Sequence, residues 1–240
     1  MPIKRTELVN NEFYHIVKRG INKNKIFIDE QDRFRFINSL LAFNDENPVD
    51  WQVRRYWHNK RDPHFLSRAP LKNISQKPIV KIYAFVLMKN HFHILLSQIK
   101  DNGIIDYMRK LGGYTYYFNK KYDRTGTLFE GRYRAVLIKS DLQLKNTFTY
   151  IHTNPVEILE KKWKGWEVED ARRAISFLET EYSWSSYWDY LNKDNFPLVI
   201  DKDFFNKLFG DSSGIREEVN GWILSKDKNF NNLVPEYLRK

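Results

Sequence analysis

Between Phe13 and Arg19 the chain reads Phe-Tyr-His-Ile-Val-Lys-Arg, an aromatic and β-branched run that predicts a strand. Gly20 ends it, and Asn22-Lys23-Asn24-Lys25 makes a basic turn. A helix follows from about Asp29-Glu30, because Phe34, Ile37, Leu40, Leu41 and Phe43 recur at helical spacing. Residues 45–78 break the pattern with Pro48, Pro63, Pro70 and Pro78 and read as a long loop or insertion. Ile79 to Met88 is a nearly continuous apolar run, suited to a strand buried on both faces. Lys89-Asn90 then turns the chain into a second strand, His91 to Ser97, so 79–97 predicts a hairpin. A helix is expected from Ile104 to Tyr122, weakened in the middle by Gly112-Gly113. After a loop over 125–131, Arg134 to Ile138 forms a short strand. Ser140 opens another helix, with Gln143 placed for a capping box. Pro155 disfavours helical geometry in the residue before it, so this helix stops near Asn154.

The order strand, helix, strand, strand, helix, strand, helix predicts an α+β fold. Its core is βαββαβ, the ferredoxin-like (RRM-like) arrangement, with an antiparallel four-stranded sheet and helices on one face. We assign one domain to 1–158, with the insertion at about 45–78. An accessory, mostly helical C-terminal region occupies 159–240, carrying Trp163, Trp166, Trp184 and Trp188 and a helical stretch from Ile215 to Leu224.

Composition narrows the partner and the chemistry. Forty Lys and Arg against 30 Asp and Glu give a net charge of +10, and aromatics make up 16% of the 240 residues. A basic, aromatic-rich chain points to a polyanion, with nucleic acid first. The absence of Cys excludes disulfides, thiolate zinc sites, iron–sulfur clusters and cysteine nucleophiles. No apolar run is long enough to span a bilayer, and the N-terminus is too polar for a signal peptide, so a cytoplasmic protein without a membrane partner is expected.

Three segments carry candidate chemistry. Within a strand, His91 and His93 project from one face while Phe92 and Ile94 point to the other. Two imidazoles side by side can ligate a metal, although an isolated His-x-His more often describes polar positions on an exposed face. On the Ser140 helix, at about 100° per residue, Leu144, Phe148 and Ile151 form the core stripe. Thr147, Tyr150 and Asn154 share a neighbouring stripe. His152 falls roughly opposite Tyr150 and reads as a surface or capping histidine. The third segment is Gly126-Thr127-Leu128-Phe129-Glu130-Gly131-Arg132-Tyr133-Arg134. It fits either a backbone that approaches a phosphate gripped by guanidinium groups or a turn into the next strand.

Taken together, Lys89-Asn90-His91-Phe92-His93-Ile94-Leu95-Leu96, the Gly126-to-Arg134 block, Tyr150-Ile151-His152-Thr153-Asn154-Pro155 and Tyr182-Ser183-Trp184-Ser185-Ser186-Tyr187 resemble the tyrosine HUH single-strand transposases. The resemblance is to those associated with repetitive extragenic palindromes, over roughly residues 10–192. It implies that His91 and His93 hold a divalent cation, that Tyr150 is the nucleophile, and that Asn154 is a third ligand where relatives often have Gln. The implied reaction is metal-dependent cleavage and strand transfer of single-stranded, hairpin-containing DNA through a 5′-phosphotyrosine, by a monomer or a homodimer that exchanges the tyrosine helix. Mg²⁺ or Mn²⁺ suits such ligands in a chain without Cys.

Single strands are held by cationic grooves with aromatic platforms. The candidates are Lys18, Arg19, Lys23 and Lys25 after the first strand and Arg132 and Arg134 near the site, with Tyr116 and Phe129 as stacking rings. Arg54, Arg55, Lys60 and Arg61, interleaved with Tyr56 and Trp57, are candidates for a hairpin stem. Two other functions compete: a non-catalytic nucleic-acid-binding module, and a metal-dependent phosphodiesterase that uses water.

Overall fold

The computed structural model describes residues 8–47, 77–165 and 168–225. The expected insertion lies almost wholly outside the described residues, as do its basic and aromatic candidates, Trp166, and the chain beyond 225.

Strands β1 (Phe13–Arg19), β2 (Val80–Met88), β3 (His91–Gln98) and β4 (Arg134–Leu137) form one sheet in the order β2-β3-β1-β4, each pair antiparallel. This is the ferredoxin-like order. Helix α1 (Glu30–Ala42) begins where the sequence places it, capped by Asp29 and Asp32, each accepting from the other's backbone N–H. On the same sheet face the expected 104–122 helix is two helices, α2 (Gly103–Leu111) and α3 (Tyr114–Lys121). The break falls at the glycine pair, where the hydrogen bonds tighten to i→i−3: Gly113 donates to Lys110 and Thr115 to Gly112. A Cβ on Gly112 or Gly113 would sit 3.0 or 3.1 Å from the carbonyl oxygen of Arg109 or Lys110, so a side chain there would press on the tightened turn.

Phe92 packs on Phe36 of α1, and Phe36 on Tyr114 of α3. The Lys121 ammonium reaches Asp29 at 2.7 Å and the fully buried Asp32 at 2.8 Å, tying α3 to the N-terminus of α1. The opposite face carries His91, His93 and Leu95 and, through the register, His15, Val17 and Arg19 of β1. Helix α4 (Asp141–Thr153) packs there, against β2 and β3. Helices therefore cover both faces of the sheet rather than one. The expectation failed because α4 follows the last strand and lies outside the βαββαβ repeat.

The described part of the C-terminal region is helical, as expected: α5 (Ala171–Thr180), α6 (Tyr187–Tyr190), α7 (Asp203–Phe209) and α8 (Asp211–Leu224). The segment between α5 and α6 pairs with the free edge of β2. Leu87 N–H donates to the Trp184 carbonyl and Ser186 N–H to that of Phe85, both at 3.0 Å. Covering that edge removes a template for strand addition. Phe148 of α4 stacks on Phe205 of α7 with centroids 4.2 Å apart, so the outer face of the helix is buried too. No helix among the described residues is long and apolar enough to cross a membrane.

Candidate active site

His91 and His93 are both buried, 6% and 5% exposed, which removes the reading of the pair as polar positions on an exposed strand face. What covers them is α4. The Tyr150 ring lies edge-on to that of His93, with centroids 5.6 Å apart and an interplanar angle of 85°. Ser140 starts α4 by accepting from the Gln143 N–H, while the Gln143 side chain reaches past the cap to the Lys139 N–H. At the other end the α-helix stops at Thr153, but Asn154 keeps helical angles (φ −51°, ψ −38°). The sequence rule for residues before proline predicts otherwise. The chain runs on as a 3-10 turn over Asn154–Ile158 with Pro155 in its first turn, where a missing N–H costs nothing. Asn154 thus stays on the Tyr150 stripe, and its side-chain amide hydrogen-bonds the phenol. Its Oδ1 is buried with no hydrogen-bond partner among the described residues.

The end of the hairpin is held by the basic turn. Gly20 N–H donates to the Asn90 carbonyl at 2.8 Å, Ile26 N–H to that of Lys89 at 2.9 Å, and the Asn90 side-chain NH₂ to that of Lys23 at 3.1 Å. Gly20 is required here, since a Cβ would lie 2.2 Å from the Asn24 carbonyl oxygen. With its NH₂ committed to Lys23, Asn90 offers Oδ1 to His91 Nδ1 at 2.6 Å. An amide oxygen only accepts. The His91 proton is therefore on Nδ1, and its Nε2 carries the lone pair.

Sequence reasoning missed His15. It is 1% exposed, and its Nε2 lies 2.9 Å from His93 Nδ1. Burial, and then the Arg134 charge, pull its pKa down to about 3, so the ring is neutral at physiological pH. Only the strand register could have revealed it, since Val17 opposes His93 and His15 opposes Leu95 on the same face. Burial pushes the half-buried Tyr150 phenol up to about 12, and the Glu157 carboxylate adds to the rise. The Asn154 hydrogen bond and the Arg19 charge act in the opposite direction.

The remaining candidates divide. Arg19 opposes His91 in the register, and Arg134 opposes Val17, so both are on the histidine face. Lys23 and Lys25 are exposed on the turn bound to Asn90, and Arg132 is exposed just before β4. Lys18 is on the other face, opposite Phe92, with its ammonium 4.9 Å from the Phe129 centroid and its pKa lowered by burial. Phe129 is itself buried against Phe92 and presents no stacking surface, whereas Tyr116 is 71% exposed. The Gly126-to-Arg134 block resolves as a turn into the strand, pairing its backbone with β1: Glu130 N–H donates to the Arg19 carbonyl and Ile21 N–H to that of Leu128. His152 is not a surface residue. It is completely buried and bonded to Ser186 Oγ at 2.8 Å, because the C-terminal region closes over that side of α4.

A family model described as transposase, IS200 like, matches residues 8–154. The chain belongs to the IS200-like transposase family. The match runs from before β1 to the end of α4, so His15, His91, His93, Tyr150 and Asn154 all lie within it. Membership makes this a DNA-binding, DNA-cleaving protein of transposition. A solved structure, of a REP-associated tyrosine transposase bound to a REP hairpin, is similar with a TM-score of 0.49 and 12% identity, over 85% of this chain and 93% of that one. No curated protein matches.

Among the described residues no three His, Cys, Asp or Glu side chains are grouped to hold a metal. The donor set is instead two imidazoles and an amide. It fits a divalent cation on two observations: the His91 proton on Nδ1 leaves its Nε2 unprotonated, and Asn154 Oδ1 is a buried oxygen with no hydrogen-bond partner among the described residues.

Proposed function

We propose that the chain cleaves and rejoins single-stranded, hairpin-bearing DNA, with Tyr150 as nucleophile and Mg²⁺ or Mn²⁺ held by His91, His93 and Asn154. The observation that carries this reading is the Tyr150 ring against His93 of the same chain, centroids 5.6 Å apart. A monomer then holds a full set of groups, with no exchange of α4.

His91, His93 and Asn154 would hold the cation, which would supply polarisation of the phosphoryl oxygens and offset the charge that repels a nucleophile. Neutral imidazoles and an amide oxygen add no negative charge of their own. Tyr150, with its pKa near 12, enters the reaction protonated. As the Oη–P bond forms and the P–O3′ bond breaks, Oη gives up its proton and the 3′ oxygen takes one up. The products are a 5′-phosphotyrosine and a 3′-hydroxyl. One phosphoester replaces another, so rejoining needs no nucleoside triphosphate. The Asn154 amide and Arg19 favour the developing phenolate, and the cations of Lys23, Lys25, Arg132 and Arg134 hold the strand.

The test is incubation of labelled hairpin oligonucleotides with the protein and Mg²⁺ or Mn²⁺, resolved on a denaturing gel. A protein–DNA band that Tyr150→Phe abolishes is expected. Cleavage that persists in Tyr150→Phe without an adduct would favour the water-using phosphodiesterase, and binding without cleavage in any metal a passive module.

A further inference from the structure

We infer that His15 is a positioning residue that keeps His93 in its Nδ1–H form by accepting that proton's hydrogen bond at Nε2, leaving His93 Nε2 free of hydrogen for a cation. The inference rests on the reading of His91 and His93 as ligands and goes beyond it to a third histidine.

The geometry is specific. The two rings are within 20° of parallel with centroids 5.0 Å apart, and the nitrogens approach to 2.9 Å. A nitrogen contact that short at that centroid separation places the rings edge to edge, sharing a proton, and not face to face. A neutral imidazole carries one N–H, so the pair has two arrangements. If His15 donates from Nε2, His93 must hold its own proton on Nε2 and cannot ligate through it. If His15 accepts, the proton of His93 is on Nδ1 and Nε2 presents a lone pair.

His91 Nδ1 has no such choice, because it meets the side-chain Oδ1 of Asn90, which can only accept. The two ligands are therefore tuned differently: one by an obligate acceptor in the turn, the other by a histidine from the neighbouring strand. Both partners are supplied by backbone that the sheet fixes. Asn90 closes the β2–β3 hairpin, and β1 pairs with β3 through the whole of 91–97. Partners of this kind orient a ligand ring and raise its basicity, and their loss typically costs roughly 10- to 100-fold in metal affinity.

The test begins without metal. Long-range ¹H–¹⁵N spectra of the imidazoles, with His93 assigned by comparison with His93→Gln, should give the Nδ1–H form of His93 in the unaltered protein. An Nε2–H form would overturn the inference. Manganese affinity is then read by electron paramagnetic resonance of free Mn²⁺. His15→Phe should weaken it roughly 10- to 100-fold, and His15→Gln, whose amide oxygen can accept, should recover part of the loss. Unchanged affinity in a folded His15→Phe would also overturn it. If His15→Phe does not fold, the tautomer in the unaltered protein and the affinity of His15→Gln against His15→Leu still decide. Failure of the ligand reading looks different: Mn²⁺ affinity would then be unmoved by His91→Ala as well.

Discussion

Tyr150 and His93 meet edge to face, 5.6 Å between ring centroids, although 57 positions of sequence separate them. The contact joins the last helix of the core to its central hairpin within one chain. It exists because α4 lies on the sheet face that the helices of the βαββαβ unit leave open. Aromatic and imidazole groups that close also imply that removing one alters the surroundings of the other, so substitutions must be conservative to be read.

Substituting the first ligand separates chemistry from binding. His91→Ala should abolish cleavage of a hairpin oligonucleotide and change its Kd by less than about tenfold, since phosphate contacts dominate affinity. Gel cleavage and fluorescence-anisotropy titration on the same preparation check both halves. A collapse of affinity would make the histidines structural.

The two faces of β1 give a prediction about salt. Arg134 lies on the histidine face and Lys18 over Phe129 on the other. Arg134→Ala should reduce the slope of log K against log salt by about 0.7 for single-stranded DNA, the value of one phosphate contact. Lys18→Ala should leave the slope unchanged. Titrations at several salt concentrations decide it.

His152 makes the fold acid-sensitive. Burial holds its pKa at about 3 against 6.5 for the free side chain. Between those values the unfolded chain binds a proton that the folded chain does not. Stability is therefore full above pH 6.5 and falls as pH drops toward 3, by about 1.4 kcal/mol per pH unit for this one residue. Urea denaturation of the metal-free protein should give that acid slope, added to the contributions of other groups. His152→Gln, which can still meet Ser186 Oγ, should flatten the slope by that amount.

Gly20→Ala should destabilise the protein by about 1–3 kcal/mol, because its Cβ would lie 2.2 Å from the Asn24 carbonyl oxygen. Equilibrium denaturation measures the loss. The turn that Gly20 permits is bound to Asn90, so cleavage should fall at temperatures where the variant is still folded.

Much of this could be read in the chain. Period-two alternation put His91 and His93 on one face, and helical spacing put Tyr150 and Asn154 on one stripe, because both patterns are local. Most of the misses are long-range. His15 enters the site through the β1–β3 register, which no strand encodes by itself. The same register, not the alternation of Lys18 and Arg19, decides which of the two faces α4. His152 is buried by Ser186 and Tyr187, more than 30 residues on, so its own helix marks it as exposed. Asn154 keeps helical angles before a proline because the 3-10 turn that follows accepts Pro155 at its start.

The most direct measurement is mass spectrometry of the protein after reaction with a hairpin oligonucleotide and Mn²⁺, followed by nuclease and trypsin digestion. The account predicts a nucleotide phosphate on the tryptic peptide 146–161, whose single tyrosine is Tyr150. A covalent nucleotide on any other peptide, or cleaved DNA with no modified peptide, would contradict it.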